Sequence, residues 1–160
     1  MKKIVPFGLK REQFAVRWRR ELERASDATI ARLRALFVET VPPEVLAAEV
    51  EIFLNEDGAE GVDVWIYFGG ENNRVDNANP AIFPGRSLAL ALPLDAMGGF
   101  SEKYFDGDFP GADLAAEATQ AWFAECWWKA GGWSYPLPVD IGVHDGFGGG
   151  KTVRLTERGK

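Results

Sequence analysis

The chain has 160 residues, 46% of them hydrophobic and 26% charged, which suits one domain with a substantial core and disfavours two. Its net charge of −6 is uneven: residues 1–34 hold ten Lys/Arg against four Asp/Glu, and residues 35–160 hold eight against twenty. An acidic bulk disfavours a nucleic-acid ligand, and a single cysteine, Cys126, with a single histidine, His144, excludes an intrachain disulfide and closes off the common zinc cages.

No stretch reaches the roughly 18 consecutive apolar residues of a membrane span. Lys2 and Lys3 are followed by Pro6, Gly8, Lys10 and Arg11 where a signal peptide would have an apolar run, so the expected compartment is the cytoplasm, with no membrane contact.

Residues 11–25 predict a helix, since Phe14, Ala15, Trp18, Leu22 and Ala25 recur at helical spacing while Lys10, Arg17, Arg20 and Arg24 share another side. Ser26 or Asp27 is positioned to cap a second helix running to about Val41, with the stripe Ile30, Leu33, Leu36, Phe37 and Val41, before Pro42 and Pro43 end it. The two read as a helical hairpin. The basic side of the first could meet RNA or an acidic protein, but such a stripe is more often solvated or paired with the chain's own carboxylates.

Three strands follow, 50–54, 62–68 and 88–92, each alternating apolar residues with a different set. One set, Val50, Ile52, Leu54, Val62, Val64, Ile66, Phe68, Leu88, Leu90 and Leu92, is the expected core face. The other contains Glu51, Phe53, Asp63, Trp65, Tyr67, Ala89 and Ala91. A polar glycine-containing loop, 55–61, joins the first two strands, and a long segment rich in Asn, Asp, Gly and Pro, 69–85, joins the second to the third.

Residues 113–130 predict a third helix, ended by Gly131 and Gly132, with Ala115, Ala118, Thr119, Trp122, Phe123, Cys126, Trp127 and Ala130 on one broad face. Cys126 therefore reads as core. Two short strands, 139–143 and 152–156, close the chain around a glycine-rich turn. The expected fold is α+β: an antiparallel sheet of about five strands, packed by an amino-terminal helical hairpin and one long later helix, in a single domain over 1–160.

Several motifs approach known chemistry. Gly146 to Thr152 resembles a phosphate-binding loop in composition, but Asp145 stands where that pattern needs glycine, and too few residues follow for its helix. Asp106, Asp108 and Glu117 sit at calcium-loop spacing, with Pro110 and Leu114 at positions that should supply oxygen; the alternative is an acidic turn that caps the third helix. His144 beside Asp145 is the adjacency suited to acid–base work, with Ser134, Tyr135 or Asp140 as partners the fold would have to bring, because neighbours on a strand point to opposite faces. No cofactor is indicated.

The most informative pattern is the second strand face. Trp65, Tyr67 and Phe53 would form a stacked patch flanked by Glu51 and Asp63, unless the third helix covers it. Aromatics among carboxylates suit recognition of another protein with a basic surface, and the Gly69–Gly85 segment would border that surface. The expectation is a non-catalytic protein-binding module, with small acidic inhibitors of the immunity-protein type as one class that fits by composition. The alternative is a small hydrolase with a site at His144, Asp145, Asp140 and Tyr135.

Overall fold

The computed structural model describes residues 4–55, 58–70 and 87–157. Its regular elements are α1 (Arg11–Glu23), α2 (Ser26–Phe37), β1 (Val45–Asn55), β2 (Gly61–Gly70), β3 (Ser87–Leu90), α3 (Gly111–Lys129), β4 (Val139–Val143) and β5 (Val153–Arg154). The strands form one sheet in the order β3-β2-β1-β4-β5. The fold is α+β, with a pair of helices first and a long helix later, as the hydrophobic periods predict.

Three of the four strand pairings are antiparallel, and β1 pairs with β4 in parallel. That departure from an antiparallel sheet follows from the connection. Between β3 and β4 the chain spends its longest helix, and a crossover of that length can carry it past β2 and β1 and lay β4 beside β1 in the same direction.

α1 begins where the Lys10 amide donates to Gln13 Oε1 at 2.9 Å. It buries Phe14, Trp18 and Leu22, one residue per turn. α2 follows after only Arg24 and Ala25. The two helices lean on α3 more than on each other, so the pair is bent and not laid side by side. Ser26 does not cap α2; its hydroxyl accepts the Trp122 indole N–H at 2.9 Å, and Ala25 holds the cap position. α2 stops at Phe37, short of Val41, because Val38 is already exposed and the residue before Pro42 resists helical geometry.

α3 is buried over more of its circumference than a single apolar face requires: Ala116, Gln120 and Ala124 are covered as well as Ala115, Thr119, Trp122, Phe123, Cys126 and Trp127. One flank meets α1 and α2, where the Trp18 indole donates to Thr119 Oγ1 at 2.9 Å. The adjoining flank meets the sheet, where Gln120 Nε2 donates to the carbonyls of Ile141 at 2.8 Å and Lys151 at 2.9 Å. An aromatic cluster of Phe14, Trp18, Phe100, Tyr104, Phe105 and Phe109 closes the end of this layer; the first four rings are fully buried, each contributing about 1.5–3 kcal/mol or more by leaving water, and partly buried Phe105 and Phe109 contribute less.

The predicted core face of the strands is the buried one: Val50, Ile52, Leu54, Val62, Val64, Ile66, Phe68 and Leu90 are all covered, with Leu88 and Leu92 partly so. β3 ends at Leu90 because the amides of Leu92 and Leu94 turn back onto the carbonyls of Leu90 and Leu92, coiling the chain before it can extend the ladder. No helix of the described residues is long and apolar enough to cross a membrane.

Candidate functional site

α3 packs on the apolar face of the sheet and α1 and α2 pack on α3, so none of these three helices crosses the opposite face. The third helix, which could have covered the aromatic set, lies on the other side, against the apolar residues of β1 and β4. The open face is therefore built directly from the alternate residues of each strand, and the register places them in rows.

The first row reads Ser87, Tyr67, Glu49, Asp140, Arg154 across all five strands. The second reads Ala89, Trp65, Glu51, Gly142. In the third, Asp63 stands opposite Phe53, and His144 comes alongside. Four carboxylates, Glu49, Glu51, Asp63 and Asp140, thus share a surface with three aromatic rings.

The aromatics divide into two pairs, one stacked and one tilted, where the sequence suggested one patch. Trp65 and Tyr67, two apart on β2, lie nearly parallel at 13° with ring centroids 6.3 Å apart. Phe53 instead meets the His144 imidazole at 4.6 Å. Glu51 stands between the pairs because its carboxylate is held by His144: Nδ1 and Glu51 Oε1 are 2.9 Å apart, with the imidazole N–H donating. That bond, reinforced by the nearby Asp145 carboxylate, raises the His144 pKa above its ordinary value.

Asp145 is nearer to its neighbour than strand alternation allows. β4 ends at Val143, and Asp145 adopts a left-handed conformation with φ 63°, the only described non-glycine residue to do so. The turn swings its Oδ1 to 3.4 Å from His144 Nε2, close enough for charge attraction and too long for a hydrogen bond. The remaining carboxylates are also tied down locally. Asp63 Oδ2 accepts from Asn55 Nδ2 at 2.8 Å, and Asp140 Oδ1 lies 2.7 Å from Arg154 Nε.

The acid–base cluster expected around His144 is only partly assembled. Asp145 is adjacent and Asp140 lies on the same strand face, but Tyr135 is buried elsewhere, against Phe37 and Trp127, where loss of solvent pushes its phenol well above the usual range. Its hydroxyl makes no hydrogen bond among the described residues. Ser134 is exposed in the short turn after α3. His144 has an orienting carboxylate but receives neither the Tyr135 nor the Ser134 hydroxyl.

Asp106, Asp108 and Glu117 do not converge: all three are exposed, and among the described residues no group of three or more acidic, His or Cys side chains could hold a metal ion. Nor do the aspartates cap α3, whose cap position is Pro110 without a side-chain bond. Asp113 in the first turn does other work, accepting the Gly148 amide at 3.0 Å and fastening the glycine-rich segment to α3. That segment, 144–152, is a broad connection between antiparallel β4 and β5, in which Gly146, Gly148, Gly149 and Gly150 all take positive φ. Of the basic stripe on α1, Arg17 and Arg24 both pair with buried Glu21, at 3.0 and 3.4 Å. Cys126 is buried, and desolvation raises its pKa, as for an inert core thiol. Of the Gly69–Gly85 segment, residues 71–85 lie outside the described residues.

Asp140 and Arg154 are the members of the open face that a strand-by-strand reading does not join to it. The signal was present in the alternation Asp140, Gly142, His144, but placing it beside Glu49 and Glu51 requires the parallel β1–β4 pairing. No protein-family model, curated protein or solved structure matches the chain.

Proposed function

We propose that this protein is a non-catalytic binding module whose open sheet face docks the basic surface of a partner protein. The observation that carries the reading is the coincidence, on one face that none of the three α-helices crosses, of four carboxylates with Trp65, Tyr67 and Phe53. Carboxylates on a sheet face that packed inward would each lose hydration at a cost of several kcal/mol. Left open, the same groups steer a cationic partner inward, while the rings supply rigid, amphipathic contact area. A face of this kind suits occlusion of a partner's anion-binding site, the mode of action of an inhibitor or immunity-type protein.

The test is affinity capture from source lysate with two baits, the native chain and the double variant Asp63→Lys, Trp65→Ala, followed by purification and titration of any retained protein. The expected result is a stoichiometric partner with a cationic surface, bound at least about tenfold more weakly by the variant, the scale of one lost hot-spot contact. Equal retention on a folded variant would sink the assignment.

A further inference from the structure

Beyond Glu49 and Tyr67 the open face drops away. The next row of β1 and β2 pairs Ala47 with Gly69, so a methyl group and a hydrogen stand where the preceding row carries a carboxylate and a phenol. The result is a depression of about 460 Å³ whose open-face lining is Glu49, Tyr67, Asp140 and Thr152, with Ala47 and Gly69 beneath. A Cβ built at Gly69 meets no described atom within 4 Å, so this glycine is not demanded by crowding. Glycine inside a strand sacrifices packing and backbone entropy, and one of its uses is to let another chain approach.

Among the described residues, the charge in the depression is unbalanced. Glu49 and Asp140 are direct register partners across parallel β1 and β4, and the one guanidinium in their row is that of Arg154, which bonds Asp140. The aromatic wall is Tyr67, itself stacked on Trp65 and 37% exposed. A divalent cation would require at least three converging oxygen or nitrogen ligands, which the described residues do not provide here. A phosphate would be repelled.

We infer that this depression seats an arginine side chain of the partner, its guanidinium bonded to Glu49 and lying against the Tyr67 ring. The inference rests on the binding-face reading and names the anchor that reading lacks. Arginine fits better than lysine because a planar fork can bond a carboxylate bidentately while its face stacks on an aromatic ring. The row already holds one arginine–carboxylate pair beside Glu49, where Arg154 Nε reaches Asp140 Oδ1 at 2.7 Å.

The experiment is a ¹H–¹⁵N titration of the full chain with N-acetyl-arginine amide, with N-acetyl-citrulline amide as the uncharged isostere. Saturable shifts confined to the amides around Glu49, Tyr67, Gly69 and Thr152, absent with citrulline, are expected. Glu49→Gln removes the negative charge and one of the two acceptor oxygens, and Gly69→Val fills the floor with a strand-compatible side chain; each should weaken binding at least about fivefold. Shifts equally large at exposed Asp106 and Asp108, no saturable shift at all, or binding unchanged in Glu49→Gln would overturn the anchor. Should Gly69→Val misfold, the surface change Glu49→Gln decides alone. A captured partner that still depends on Trp65 and Asp63 while arginine fails to seat would cost only the anchor; indifference to Trp65 and Asp63 would remove the face itself.

Discussion

His144 is the single histidine of the chain, so its titration can be read without assignment ambiguity. Its folded-state pKa is raised, first by the bond to Glu51 and further by Asp145, so the protonated ring is the form the native face prefers. Linkage then fixes the direction: the stabilisation is fully present below the unfolded histidine value and is lost as pH rises through the folded one. Glu51→Gln should therefore lower the His144 pKa measured by NMR, and should reduce the melting temperature more at pH 6 than at pH 8.5. Equal losses at both values would show that Glu51 supports the fold by packing alone. The adjacent His144 and Asp145 are visible in the sequence, but the residue that orients the ring is 93 positions away on β1. Nothing local encodes that meeting, because it depends on two strands lying parallel across an intervening helix. Asp145 is hidden for a different reason: strand alternation carried past Val143 does not survive the left-handed turn at Asp145.

At the scale of elements, α3 is the hub, and two polar contacts show how it is fixed on adjoining flanks. Trp18 and Thr119 are both fully buried, so Thr119→Val preserves shape while leaving the indole N–H without an acceptor. The expected loss is about 1–3 kcal/mol in chemical denaturation, the desolvation penalty of one stranded donor. Gln120 differs in reach, since its amide binds one carbonyl on β4 and another in the segment leading to β5. Gln120→Leu should destabilise by a similar amount and speed hydrogen exchange at the amides of Val153 and its neighbours more than in α1. A uniform increase would place the effect in global stability. The existence of α3 was legible from its spacing and from the glycines that end it, but its burial was not. An amphipathic reading assigns one buried face, whereas a helix that serves both a sheet and a helical pair is covered on two, and small residues such as Ala116 and Ala124 carry no signal of which side they meet. Strand faces were more readable, because a period of two admits only two answers and the apolar set chooses between them.

Over the whole molecule, the open face sets stability against recognition. Glu49 and Asp140 stand directly opposite each other, with Glu51 and Asp63 on the same surface, and like charges across a strand pair repel by a few tenths of a kcal/mol or more. Helices on the other side of the sheet cannot relieve this, and His144 and Arg154 offset only part of it. A protein selected for stability alone would have fewer acids there. Glu49→Gln is therefore expected to raise the melting temperature by about 1–2 °C at low ionic strength, the shift that roughly 0.5 kcal/mol produces in a domain of this size. The gain should fade at 0.5 M salt, where the screening length falls below the spacing of the charges. The same substitution should weaken the cationic partner, so stabilisation and loss of binding would come from one carboxylate. If Glu49→Gln left stability unchanged at low salt, or lowered it, the carboxylate would be an ordinary solvated surface charge, and the account of this face as strained by its own acidity would fail.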